Sequence, residues 1–171
     1  DLSVPVPAEE QQHRYRIVLI SQEVDTPFWT DVKQSALEAA ERENVSLEVW
    51  GTFGRNDRDF LNNMEIAIAS KVDGIIAQGL DTDEFIQLTK IRATRNGIPV
   101  ITVANDVPAS ESLRRTYVGS DHREAGRMIA RQLLSDMGFS GKVVLMASER
   151  QEDFQTSRLE GILEVFAPYR D

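Results

Sequence analysis

Cysteine is absent from the 171-residue chain, which excludes disulfides, zinc–thiolate sites and thiol nucleophiles. Histidine is scarce: His13 and His122 stand far apart, without a His-Glu-x-x-His or similar spacing, so no transition-metal site is expected. Long apolar runs are missing too, so no membrane-spanning helix is expected. These residues hold no basic-then-apolar leader, and the compartment is not legible from a signal. Positive charge is in deficit: 19 Lys and Arg against 28 Asp and Glu leave a net charge of −9. A nucleic-acid surface needs a basic stripe, and anionic lipid repels such a chain. Glycine is sparse where phosphate binding would need it, because "GTFGRN" (51–56) lacks the GxGxxG or Walker spacing. No serine sits in a G-x-S-x-G elbow, and no histidine neighbours a nucleophile in sequence. The chain is therefore read as a non-enzyme without a cofactor. Glu23 with Asp106 is the carboxylate pair that a glycoside-hydrolase reading would have to use.

What remains is a globular composition, 41% apolar and 27% charged. Residues 1–14 are Pro- and Glu-rich without periodicity and read as a tether. A repeat follows. Apolar, β-branched runs at 15–21, 45–51, 71–79 and 97–106 alternate with amphipathic stretches at 27–44, 57–70 and 83–95. Near-continuous apolar strands between helices predict a parallel sheet covered on both faces. Val32, Ala36, Ala39 and Ala40 supply one covering stripe; Leu61, Met64 and Ile68 supply another, and Phe85, Leu88 and Ile91 a third. Right-handed crossovers then make this an α/β fold, an open and doubly wound sheet.

The pattern changes after Asp106. A polar connector (107–116), a short strand (117–120), a helix at 122–137 behind a D-x-x-E capping box, a strand at 141–148 and a helix at 156–166 follow. One good strand and two helices are too few to enclose a core. The chain is expected to divide into a first lobe over 15–106 and, over 107–171, a hinge crossover followed by an incomplete second lobe. That second segment is expected to self-associate or to belong to a longer polypeptide.

In an open parallel sheet, ligands sit outside the carboxyl ends of the strands. The residues expected there are Gln22, Glu23, Asp25, Thr26, Phe28 and Trp29 after the first strand. Thr52, Arg55 and Asn56 follow the second, Asp81 and Asp83 the third, and Ala104, Asn105 and Asp106 the fourth. Aromatics with carboxylates and carboxamides suit a sugar: rings take its C–H faces, and the polar groups pair with its hydroxyls. Local roles compete with that reading. Phe28 or Trp29 could staple the helix start, Asp81 and Asp83 could cap a helix, and Asn105 and Asp106 could serve a turn. His122 and the acidic run at 148–153 read as solvated.

These stretches resemble periplasmic-binding-protein-like (type I) sugar receptors of the ribose/galactose type, which are related to LacI-type effector domains. "TPFWTDVKQSALEAA" is similar to that family's first helix, "KVDGIIAQGLDTDEF" to its third βα unit and "NGIPVITVAND" to its fourth strand. "TYVGSDHREAGRMIARQLL" resembles the entry to its second lobe, and "GKVVLM" with "SRLEGILEVF" the strand and helix that follow. The resemblance implies a hinged, two-lobed clamp for a sugar, nearly twice this length, extracellular or periplasmic and in some cases membrane-anchored. It implies ligand contacts at Thr26, Phe28, Trp29, Asn105, Asp106 and Thr156. The partner implied is the permease of an ABC importer, or else a signalling protein for which the clamp is the sensor. A LacI-type regulator core is the remaining implied role. Thr26 stands where the family more often has asparagine, and Ala104 offers no side-chain hydrogen bond.

Overall fold

The computed structural model describes residues 15–146 and 153–169. Its centre is one five-stranded sheet: β1 (Tyr15–Ile20), β2 (Val45–Trp50), β3 (Gly74–Gln78), β4 (Val100–Val103) and β5 (Thr116–Val118). The strands are all parallel in the order β2-β1-β3-β4-β5. The connections between them carry α1 (Pro27–Arg42), α2 (Asp57–Ala69), α3 (Asp83–Gln87) and the short α4 (Ala109–Ser112). α3 runs on as a π-helical segment, Leu88–Ala93.

Alternation along the strands sends side chains to two faces. Val18 and Ile20 of β1, Ile75 and Ala77 of β3 and Val100 of β4 join one buried cluster with Phe60, Met64, Ala67 and Ile68 of α2. Phe85 of α3 enters the same cluster and stacks on Phe60, with ring centroids 5.9 Å apart. Leu19 faces the other way and is also buried. The α1 stripe of Val32, Ala36, Ala39 and Ala40 is half-buried, so that face is covered more thinly.

Four helix starts are set by side chains that accept a backbone N–H: Thr26 from Trp29, Asn56 from Asp59, Thr82 from Phe85 and Asp121 from Glu124. Thr82, not Asp81 or Asp83, is thus the cap of α3.

Beyond β5 lie α5 (His122–Asp136) and α6 (Asp153–Phe166). β5 falls in the segment that sequence reasoning assigns to the hinge crossover and incomplete second lobe; it pairs with β4 and extends the first sheet. The strand expected at 141–148 does not form over 141–146, and its last two residues lie outside those described. A β-strand needs a neighbour to receive its N–H and C=O groups, and no described strand lies beside this one. Val144 and Met146 accordingly remain 84% and 95% exposed. α6 starts at Asp153, three residues earlier than the sequence pattern predicts. The tether and most of the acidic run at 148–153 lie outside the described residues.

α5 and α6 pack backbone to backbone. A Cβ on Gly126 would press on the Arg158 carbonyl, and one on Gly161 on the Arg123 carbonyl. Around that contact, Arg127 donates to Glu124 at 2.6 Å and to Glu164 at 2.9 Å, and Arg123 donates to Glu164 through Nε at 2.8 Å. The arginine bonds hold the Glu124 and Glu164 carboxyls below their ordinary value of 4.5. A carboxylate depressed in the folded state stabilises fully above its unfolded value and loses that effect as pH falls through the lower folded one. The α5–α6 contact should therefore hold from neutral pH to about 4.5 and weaken only below that. Melting temperature followed from pH 6 to pH 3 checks this, and Glu164→Gln should flatten the acid limb.

Candidate functional site

The order of strands reverses between β1 and β3, the switch point at which loops diverge and leave a crevice at the carboxyl edge. A cleft of about 800 Å³ opens there. Its floor is polar. Gln22 and Gln78, at the ends of β1 and β3, are buried, and the Gln22 N–H donates to the Gln78 carboxamide oxygen at 3.2 Å. Gln22 also donates through Nε2 to Asp57 at 2.5 Å and accepts from the Thr52 hydroxyl at 2.8 Å through its carbonyl. These bonds hold the floor rigid with its amides in fixed directions.

Two aromatics stand above the floor at the start of α1. Phe28 is 54% exposed, whereas Trp29 is 5% exposed. Both line the cleft, edge to face, with centroids 5.2 Å apart. Trp29 thus forms the wall on which Phe28 is presented. Thr26 lies outside the lining; its hydroxyl is committed to the Trp29 N–H at 3.4 Å, which fixes the direction of the helix that carries both rings.

From β4 come Ala104 and Asn105, both in the lining. Ala104 adopts a φ of 65°, in the left-handed region that a Cβ disfavours, and this turns Asn105 toward the cleft side. The Asn105 carbonyl accepts from Gly79 at 3.0 Å. A Cβ on Gly79 would come within 2.5 Å of that oxygen, so the close approach of the two loops requires glycine. Asp106 is turned away. Arg114 grips it through Nε and Nη2, each at 2.5 Å, and the Thr102 hydroxyl donates to it at 2.7 Å. Glu23 lines the cleft and Asp106 does not, so the carboxylate pair of the hydrolase reading is not assembled.

The remaining wall comes from beyond β5: Gly119, Ser120 and His122, then Phe154, Gln155 and Arg158 of α6. Thr156 is exposed and outside the lining, while Gln155 and Arg158, one and two residues away, are inside it. The Arg158 guanidinium lies 5.5 Å from the centre of the Phe154 ring. The Tyr117 hydroxyl donates to the Ala104 carbonyl at 2.9 Å. Burial, with the Asp106 charge adding to it, pushes that phenol above its ordinary value and keeps it a donor.

Of the six residues singled out from sequence, the fold brings Phe28, Trp29 and Asn105 together, and leaves Thr26, Asp106 and Thr156 beside the cleft. Gln78, His122 and Phe154 were missed. Gln78 had a legible signal, a lone carboxamide in the apolar run "GIIAQG". His122 had none, since its partners are distant in sequence; the structure half-buries it in the cleft wall rather than leaving it solvated.

The family model of the periplasmic binding protein domain matches residues 17–171. The chain belongs to that family. Among solved structures similar to this chain, a glucose-galactose binding protein from Geobacillus stearothermophilus, GanP, is 33% identical with a TM-score of 0.79. That match covers 91% of this chain and 54% of GanP. XylFII, in its complex with LytSN, is 29% identical with a TM-score of 0.81, over 90% of this chain and 55% of that one. A Rhizobium meliloti protein described as rhizopine-binding is 28% identical over 102 residues, which are 58% of this chain and 33% of the relative. The chain thus spans about half the length of its solved relatives and a third of the curated one. Among the described residues no helix is long and apolar enough to cross a membrane.

Proposed function

We propose that this chain is the first lobe and part of the second lobe of a sugar receptor, and that its cleft holds the sugar. The observation that carries this reading is the pairing of an exposed Phe28 with a rigid carboxamide floor and Asn105 on one rim. A pyranose laid on Phe28 would keep its hydroxyls in reach of fixed donors and acceptors. Phe154 and Arg158 enter the same space from α6, so a sugar held by the sheet edge gains contacts when the α6 wall approaches. Ligand then favours the closed arrangement by its differential affinity for closed over open. The kinship with GanP supports a monosaccharide, and family membership supports a binding role rather than catalysis.

In this reading the protein works outside the cytoplasm, as the solute receptor that delivers sugar to the permease of an ABC importer. Exposed Val144 and Met146 then find cover in a second lobe completed by further chain, with self-association as the other way to bury them. The XylFII–LytSN complex supports a second reading, a clamp whose closure is passed to a protein partner instead of a permease.

The test is isothermal titration of the complete protein with D-glucose, D-galactose, D-ribose and D-xylose. Saturable binding of one of them at micromolar concentration or tighter is expected. Failure of all four, together with binding of an amino acid or nucleoside, would replace the sugar reading.

A further inference from the structure

Among the described residues, Nδ1 of His122 is the one buried side-chain nitrogen or oxygen without a hydrogen-bond partner. The other ring nitrogen is engaged. Nε2 lies 3.2 Å from the Ala104 carbonyl and 3.4 Å from the Tyr117 hydroxyl. A carbonyl can only accept, so the contact requires a hydrogen on Nε2, and Nδ1 is the ring atom left without a partner. An orphaned buried polar atom is a cost, and its persistence calls for a compensating use of the ring.

That use is visible on both sides. The Ala104 carbonyl receives two donors, His122 Nε2 and the Tyr117 hydroxyl at 2.9 Å. Ala104 is the left-handed residue that turns Asn105 toward the cleft, a conformation that persists only where the surroundings hold it. Behind the hydrogen bond, the same imidazole packs on Phe154 of α6, with centroids 5.5 Å apart and planes tilted by 50°. One ring thus touches the end of β4 and the start of α6, both of which line the cleft.

We infer that His122 is a positioning residue that couples the Asn105 turn to the α6 wall, so that ligand held at Asn105 also sets the place of Phe154 and Arg158. The inference rests on the proposed sugar site. Coupling between two sites needs an element that both of them bias, and a planar ring with a donor on one edge and a face for Phe154 is such an element. Asparagine would keep a donor but not the face; phenylalanine would keep the face but not the donor.

The experiment is hydrogen exchange on the complete protein, with and without D-galactose and D-glucose, in wild type, His122→Asn and His122→Phe. Without sugar, His122→Phe should speed exchange of the Gly79, Ala104 and Asn105 amides about tenfold, the loss of one hydrogen bond, and leave residues 157–161 near wild type. His122→Asn should do the reverse. In both variants, protection by sugar should reach Asn105 as in wild type and be weaker than in wild type at residues 157–161, where only the direct contacts of Phe154 and Arg158 remain. Exchange that rises uniformly, including β1 and β3, or that changes both segments alike in both variants, overturns the coupling. If neither sugar protects wild type but the two variants still split as stated, glucose and galactose are excluded as the ligand and the coupling stands. If sugar protects wild type and both variants identically, the coupling fails and the sugar reading stands.

Discussion

Replacing Trp29 by alanine should lower stability by about 3–5 kcal/mol, whereas replacing Phe28 by alanine should change it by no more than about 0.5 kcal/mol and weaken sugar binding at least tenfold. The two rings are neighbours in sequence and differ in burial, 5% against 54% exposed. Removing a buried indole leaves a cavity beneath the cleft; removing the exposed ring leaves only water. An aromatic ring newly buried against a ligand contributes about 1.5–3 kcal/mol, and each 1.4 kcal/mol or so is a factor of ten in affinity. Denaturant melts paired with sugar titrations separate the outcomes. Phe28→Ala with wild-type affinity would remove the ring from the binding surface. Trp29→Ala with wild-type stability would mean that the cleft wall does not depend on it.

The second large effect is expected where α5 crosses α6. Gly126→Ala and Gly161→Ala should each destabilise by about 1–3 kcal/mol, although alanine in a helix interior gains about 1 kcal/mol over glycine. The steric term wins because the atoms in the way are backbone: the carbonyls of Arg158 and Arg123 cannot rotate aside as a side chain would. The Gly126 substitution has a second consequence. Its Cβ would push on the Arg158 backbone, so Arg158 and Phe154 would shift at the cleft wall and affinity should fall with stability. At about 2–4 °C per kcal/mol for a chain of this size, calorimetry should record a melting temperature several degrees lower. A rise would mean that helix propensity outweighs contact and that the helices are not packed backbone to backbone.

Both results depend on features that sequence periodicity hides. The pattern at 122–137 marks a helix behind a capping box, yet the close approach to α6 is made at Gly126, a residue that helix periodicity does not single out. "PFW" likewise marks two aromatics at a helix start without saying which is structural. The helical rotation of about 100° per residue puts one ring under the helix and the other beside it, and only the sheet beneath decides which is which. Asp106 teaches the same lesson from the other side. It follows β4 and looks like a cleft residue, but Arg114, eight positions on, turns it into a brace for the loop.

From the residues alone came the alternation of apolar runs and amphipathic stretches, and with it the parallel α/β sheet, because strand and helix periods are local properties of the chain. The carboxyl-edge location of Phe28, Trp29 and Asn105 followed from that topology. Three-dimensional packing decided the rest: that β5 joins the first sheet, that 141–146 stays unpaired as a strand, that Trp29 is buried wall and Phe28 exposed surface, and that His122 touches both Ala104 and Phe154. Each of these rests on contacts between segments distant along the chain or on the lack of a neighbouring strand, and neither is written in a local pattern.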